Sequence, residues 1–412
     1  MDKPKIYFVP TNIAALKYYE RLIPHLKDSY DVGFLLMRHE GVLLEQVIEY
    51  CREKGHSFYV INMGVKKGGM RVPFFSPIMK ILAHENACRD FLKKVRPTKL
   101  IFEKTKNPMS MMAHVANYLG VETIVLQWCF ISFFQGTFFP EEPPRSLLSR
   151  AYNSTFFFLY ECIRFLFGPK EVMNRSITVT PKKLGIFESH LVSRFNPAPE
   201  IVREVGNLDI QMTHELKQHV VSDVFFERSL QEKYKTDRQK INILIFSSGV
   251  VSGSSTREEY SAYYKNICAD IRTLFPRDKA RILLKMHPKY KEARATAQLS
   301  EEYGVLIYGG EADSSELACI SNLCISDPMS TVNYHILGSD IPAIFVNFSQ
   351  SRKIEAGKDE LGIKEVIHDR EYFRAMLEDF KAGKLEKQYD NANLELHARE
   401  KILELINIKV SS

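Results

Sequence analysis

The feature that most restricts this chain is an alternation. Short apolar runs are followed again and again by stretches of helical spacing, and the pattern occurs in two separate series. The first run, KIYFV at 5–9, is broken by Pro10-Thr11-Asn12 before Ala15, Leu16, Tyr19, Leu22 and Ile23 recur at helical intervals. Strands are then expected at 31–36, 57–62, 99–102 and 123–127, with helices at 43–54, 78–95 and 109–119 between them. A second series begins with a strand at 242–246 and a long helix at 257–274, and it ends with a strand at 341–347 and helices at 370–382 and 391–406. Strands separated by helices in this way predict a parallel sheet covered on both faces. With 412 residues there is chain enough for two cores. The expected fold is therefore α/β, with two Rossmann-like parallel-sheet domains and a deep inter-domain cleft.

The segments between the two series set the expected boundaries. Residues 1–130 form the first domain. Residues 131–200 are an aromatic and basic insertion that returns to it, with a short strand at 177–180. Residues 201–240 make the crossing, starting from a strand at 201–205 and the Gly206-Asn207 turn, where both residue types tolerate left-handed backbone. Residues 241–380 form the second domain, and 381–412 a helix packing back on the molecule.

The stretch 281–337 concentrates the chemistry. RILLKMHPKY reads as a buried strand ending in a Lys285-x-His287-Pro288 corner. LCISDPMSTVNYHILG reads as a strand that breaks at Asp327-Pro328, with Ser330 and Thr331 opening a helix. If these corners lie on adjacent strand ends, Lys285, His287, Asp327, Ser330 and Thr331 come to one edge, where amides, hydroxyls and a cation suit a phosphate-bearing ligand. Ser330 and Thr331 would serve equally as plain helix caps, and His287 as an ordinary loop histidine. SSGVVSGSS at 247–255 adds a Gly/Ser-rich loop in which Ser248 and Gly249 can offer backbone N–H groups; it lacks the Lys of a P-loop. Tyr308, Gly309 and Glu311 leave a strand beside the same edge and are placed to read a nucleobase. The first turn, PTNIAAL, lacks the G-x-G-x-x-G fingerprint, so no dinucleotide is expected there.

Charge and cysteine use narrow the setting. A net charge of +6 favours anionic partners, and no nucleic-acid motif accompanies it. Seven cysteines without a C-x-x-C pair fit a reducing compartment, and no His/Cys/Asp set has metal-ligand spacing. The N-terminus lacks a signal-peptide layout. Residues 145–168, RSLLSRAYNSTFFFLYECIRFLFG, are too interrupted to span a bilayer, which takes roughly 20 apolar residues. They fit either a helix on a membrane surface, with Arg145, Arg150 and Arg164 toward lipid phosphates, or a buried helix or protein contact.

His287-Pro288, Asp327, Ser330 and Thr331, together with the VREVGN turn, resemble the GT-B glycosyltransferase superfamily, nearest to its CDP-glycerol glycerophosphotransferase and capsule polysaccharide transferase branches. The resemblance implies a metal-independent transferase that clamps a donor diphosphate with Lys285, His287, Asp327, Ser330, Thr331, Ser248 and Gly249. Its donor would be a nucleotide-activated sugar or a CDP-polyol acting as co-substrate, with no other cofactor. Its acceptor would be a glycan or lipid-linked chain of the cell surface, reached from the cytoplasmic face of the membrane. Where the glycerophosphotransferases carry Trp-His-Gly, this chain has Trp128-Cys129-Phe130, without the His. A proton acceptor must then be sought among Glu103 at a strand end, His39 and Glu40 after the second strand, and His114 on a helix. Related epimerases carry a Glu-rich helix where this chain has Val332-Asn333-Tyr334-His335, which argues against epimerisation. A non-catalytic protein of the same fold, binding a nucleotide-sugar or an assembly partner, is the alternative.

Overall fold

The structure, a computed structural model, describes residues 3–38, 44–62, 75–103, 109–129, 162, 182–187, 199–247, 257–287, 293–309, 312–348, 358, 361–390 and 394–407. The chain forms two units, one from Met1–Gly206 with His397–Ser412, the other from Asn207–Leu396.

The first unit follows the sequence rhythm: β1 (Lys5–Val9), α1 (Ile13–Glu20), α2 (Ile23–Leu26), β2 (Asp31–Arg38), α3 (Leu44–Glu53), β3 (Phe58–Asn62), α4 (Phe75–Val95), β4 (Lys99–Phe102), α5 (Met109–Tyr118), β5 (Glu122–Leu126), β6 (Lys183–Ile186) and β7 (Val202–Glu204). Its seven strands lie in the order β3-β2-β1-β4-β5-β6-β7, every pair parallel. Central strands covered on both faces must be apolar throughout, and Ile6, Phe8, Val9, Leu100, Ile101 and Phe102 are accordingly buried. The strand expected at 177–180 lies outside the described residues. At 201–205 the chain differs from expectation: a 3-10 turn, Pro199–Ile201, leads into a three-residue strand.

Polar residues open three neighbouring strands of this sheet. Lys99, Glu122 and Lys183 begin β4, β5 and β6. The Glu122 carboxylate pairs with the Lys99 ammonium and, at 2.6 Å, with that of Lys183. Burial holds the Lys183 ammonium below the usual lysine range, with Glu122 opposing the shift and Lys99 and Arg203 adding to it. Lys183 also donates to the Leu405 carbonyl at 3.0 Å.

The second unit holds α6 (Leu208–Ser222), α7 (Val224–Lys233), β8 (Ile241–Phe246), α8 (Arg257–Leu274), β9 (Ala280–Lys285), α9 (Ala293–Tyr303), β10 (Val305–Tyr308), α10 (Ser314–Cys319), β11 (Leu323–Ser326), α11 (Asn333–Ser339), β12 (Ala343–Phe345) and α12 (Arg370–Lys381). Five parallel strands run in the order β10-β9-β8-β11-β12. Asn207 caps α6, accepting from the amides of Asp209 at 2.8 Å and Ile210 at 3.4 Å. α11 packs on α6 at Gly338, where an added Cβ would lie 2.5 Å from the Ile210 carbonyl oxygen. α12 buries Phe373, Met376 and Leu377. Its Arg370 and Arg374, one turn apart, both grip the buried Asp270 of α8. α13 (Ala398–Asn407) belongs to the first unit and begins later than the expected 391.

Candidate functional site

Parallel sheets bind ligands outside the carboxyl ends of their strands, where the strand order reverses. Each sheet has one such point. In the first it lies between β1 and β4, and in the second between β8 and β11.

In the second unit Ser247 directly follows β8 and Asp327 directly follows β11, so the two stand on either side of the reversal. Ser247 Oγ accepts from the His287 amide at 3.3 Å, and its own amide donates to the Lys285 carbonyl at 2.9 Å. The end of β9 is thereby tied to the end of β8. Lys285 is buried, and its ammonium donates to the carbonyls of Gly309 at 2.6 Å and Met286 at 3.4 Å. These bonds join the ends of β9 and β10. Tyr308 turns its hydroxyl toward the Tyr234 carbonyl, and burial pushes that phenol up to about 12, with Arg281 opposing.

Beyond β11 the backbone makes a tight turn. Asp327 Oδ1 accepts from the Met329 amide at 2.8 Å, and the Asp327 carbonyl accepts from Asn333 Nδ2 at 2.7 Å and from the Ser330 amide at 3.4 Å. The helix starts at Asn333, with Val332 at its cap making no side-chain bond. Ser330 and Thr331 therefore do not cap it; they sit half-buried in the preceding turn. From α8, Tyr263 lies close enough to Asp327 for the carboxylate's charge to raise its phenol, an effect second to burial.

The expected neighbourhood of the two corners needs one correction. The His287 corner and the Ser330–Thr331 corner are not on adjacent strands, because β8 lies between β9 and β11. Ser248, Gly249, Pro288 and Glu311 lie outside the described residues, as do His39, Glu40 and nearly all of 145–168. Ser247, Tyr263 and Asn333 were not among the expected site residues. Only Ser247 left a signal, its place at the exit of an apolar run.

In the first unit Glu103 follows β4 and is fully buried. Thr11, in the turn after β1, donates its hydroxyl to Glu103 Oε1. Asn12 caps α1 by accepting from the Ala15 amide at 3.0 Å. Tyr19 OH donates to the Leu126 carbonyl at 3.3 Å, and its phenol is pushed up by burial, then by Glu103, Tyr18 and Cys129. Past β5, Gln127 is a structural corner: Nε2 donates to the Cys129 carbonyl at 2.9 Å and Oε1 accepts from the Phe187 amide at 2.8 Å. His114 lies half-buried on α5. Among the described residues, no group of three or more His, Cys, Asp or Glu could hold a metal ion, and no helix is long and apolar enough to cross a membrane.

No protein-family model matches the sequence, and no curated protein matches it. Solved structures do. The UDP-GlcNAc 2-epimerase of Methanocaldococcus jannaschii is 14% identical, with a TM-score of 0.58 over 98% of this chain and 99% of that one. The UDP-GlcNAc 2-epimerase of Neisseria meningitidis, bound to UDP-GlcNAc, is 12% identical, with a TM-score of 0.57 over 98% and 99%. MurG of Acinetobacter baumannii is 11% identical, with a TM-score of 0.53 over 98% and 99%. The shared property is the fold: two parallel-sheet α/β units of the GT-B type.

Proposed function

We propose that this chain is a GT-B transferase that takes a nucleotide-activated sugar or polyol phosphate and passes it to a hydroxyl of a cell-surface polysaccharide or glycolipid. The observation that carries the reading is the turn Asp327 to Thr331, held at the strand-order reversal of the second sheet opposite Ser247. Ser330 and Thr331 supply hydroxyls there, and His287 supplies an imidazole one strand further along. In sugar transfer the bond from the anomeric carbon to the nucleoside diphosphate breaks; in polyol-phosphate transfer the bridge within the diphosphate breaks and a nucleoside monophosphate leaves. In both, a bond to the acceptor oxygen forms, and the departing phosphate gathers negative charge, which preorganised donors stabilise. The assignment gives His287, Ser330 and Thr331 direct contact with phosphate. Lys285, with its ammonium on two carbonyls, shapes the strand ends around them. Asp327 acts through the turn that it closes, while Tyr308 and Gly309 border the nucleobase. Glu103 is the proton acceptor. Ser248, Gly249 and Glu311 complete the donor site in this proposal, which also places the protein on the cytoplasmic face of a membrane.

The similar structures that bind or act on UDP-GlcNAc support a nucleotide-sugar ligand, and they make epimerisation the activity to compare against. One observation favours a non-catalytic binding protein instead: Cys129 stands where the glycerophosphotransferases carry their His, and its side chain is buried.

The test is thermal stability against CMP, CDP, UDP, GDP and their sugar or glycerol conjugates, since a bound ligand raises apparent stability by mass action. One nucleotide is expected to shift the wild type, and neither His287→Ala nor the Ser330→Ala/Thr331→Ala pair to respond. An unchanged response in both variants would discard the clamp. Incubating the responding donor alone and with glycan acceptors separates epimerase, transferase and binding protein by product.

A further inference from the structure

Resting on Tyr308 and Gly309 as the border of the nucleobase, we infer that Tyr234 is the positioning residue of that border, and so a determinant of which base the protein accepts. Tyr234 caps the carboxyl end of α7 and holds the chain on both sides of the exit from β10. Its carbonyl accepts from the Tyr308 hydroxyl, and its own hydroxyl accepts from the Asp313 amide at 3.2 Å. These contacts reach across 74 and 79 residues of sequence. The two tyrosine rings also meet edge to face, with centroids 5.6 Å apart. One residue thus fixes Tyr308 before the exit and Asp313 after it.

Each of these groups is available for a physical reason. A helix leaves its last carbonyls without an intrahelical donor, and the Tyr234 carbonyl stands at such an end. The phenol fills both of its roles: it donates to Glu316 Oε2, which also takes the Lys233 ammonium, and it presents a lone pair to Asp313. Burial first, and then the bond to Glu316, push that phenol up, which keeps its proton in place. Tyr234 is buried, so water does not take over these contacts. Asp313 in turn caps α10, accepting from the amides of Ser315 at 2.8 Å and Glu316 at 3.2 Å. Between the two held points, the Ala312 amide donates to the Gly309 carbonyl at 3.4 Å, the same carbonyl that takes the Lys285 ammonium at 2.6 Å. The exit of β10 is therefore tied from β9 on one side and from α7 on the other. Discrimination between bases needs polar groups that do not shift to suit the wrong one.

The experiment uses Tyr234→Phe, which keeps the ring without the hydroxyl, and as a control Leu230→Ala, which removes buried apolar surface from the same helix. Dissociation constants for CDP, UDP and GDP are measured by calorimetry beside that for inorganic pyrophosphate. Tyr234→Phe is expected to narrow the ratio between the best base and the next by about fivefold, the size of one hydrogen bond, and to leave pyrophosphate at its wild-type value. Leu230→Ala is expected to melt earlier with the ratio intact. A wild-type ratio in Tyr234→Phe, or an equal weakening of all three nucleotides and pyrophosphate, overturns the inference. Hydrogen exchange gives a reading that needs no nucleotide: the Ala312 amide, bonded to Gly309 and not to Tyr234, exchanges faster in Tyr234→Phe, while the Leu244 amide in β8 keeps its rate. An unchanged Ala312 rate likewise overturns it. Should the wild type bind none of the three nucleotides, the donor reading fails, and exchange alone decides whether Tyr234 holds the exit of β10.

Discussion

Asn333 donates from Nδ2 to the carbonyl of Asp327 across 2.7 Å, while its own amide donates to the Ser330 carbonyl at 3.0 Å. One side chain at the start of α11 thereby closes the turn that carries Ser330 and Thr331. Asn333 has no exposed surface, so no water is at hand to replace it. Asn333→Ala is expected to cost about 1–3 kcal/mol, the range for stranding a buried polar partner. Urea unfolding would read this cost, and thermal shift would read a weaker nucleotide response. Full stability together with full response would separate Asn333 from the turn.

Gly338 is a site of close approach. A methyl group there would meet the Ile210 carbonyl oxygen at 2.5 Å and Thr213 Cβ at 2.8 Å. Backbone and β-carbon cannot swing aside, so Gly338→Ala forces α6 and α11 apart. The expected loss is about 1–3 kcal/mol, as for an overpacked core, with a drop in nucleotide response because α11 carries the turn. A melting temperature equal to wild type would show that the helices yield freely.

Asp270 is buried and accepts from Arg370 at 2.7 and 2.9 Å and from Arg374 at 2.8 Å. Both arginines are partly exposed, which lets them find water once the carboxylate is gone. Asp270→Ala should therefore cost about 1–3 kcal/mol and not the larger penalty of a stranded buried charge. Denaturant midpoints of the single and combined variants would show whether the two arginines act through Asp270. Strict additivity would mean that they do not.

Lys183 gives a pH dependence of definite sign. Burial holds its ammonium below the ordinary lysine value of 10.5. Between the lowered native value and that of the unfolded chain, the unfolded state retains a proton that the folded state has lost. Stability then rises with pH across this window, and the penalty persists below it. Subtracting the urea midpoints of Lys183→Met from those of the wild type over a pH series ending at 10.5 isolates the contribution. A difference that falls as pH rises would reverse the assignment.

Strands that had to be apolar on both faces were legible in the sequence. Strand Lys99–Phe102 stands where the pattern placed it, as does the long helix Arg257–Leu274. Lys183–Ile186 was not expected, because four residues with a glycine among them carry no periodicity. Spatial order was the harder matter. His287 and Ser330 stand on successive chemistry-bearing corners of the chain, yet β8, which precedes both in sequence, lies between their strands. The Thr11–Glu103 contact was hidden for the same reason, since pairing between β1 and β4 is set by the whole sheet and not by either segment. The start of α11 was misplaced because Ser330 and Thr331 are good capping residues. The turn closed by Asp327 and Asn333 overrode that local preference.

The docking of α13 bears on the order in which the molecule can be made. Leu405 of this helix lies within 2.8 Å of where a Cβ on Gly185 would stand and accepts from Lys183, so a side chain there would push the helix off β6. On the ribosome every residue of the second unit emerges before 397, whereas the first unit waits for 398–407. The unit whose strands emerge earlier is thus the later of the two to be completed. Until then the surface around Gly185 and Lys183 stays open to solvent, to chaperones and to other nascent chains.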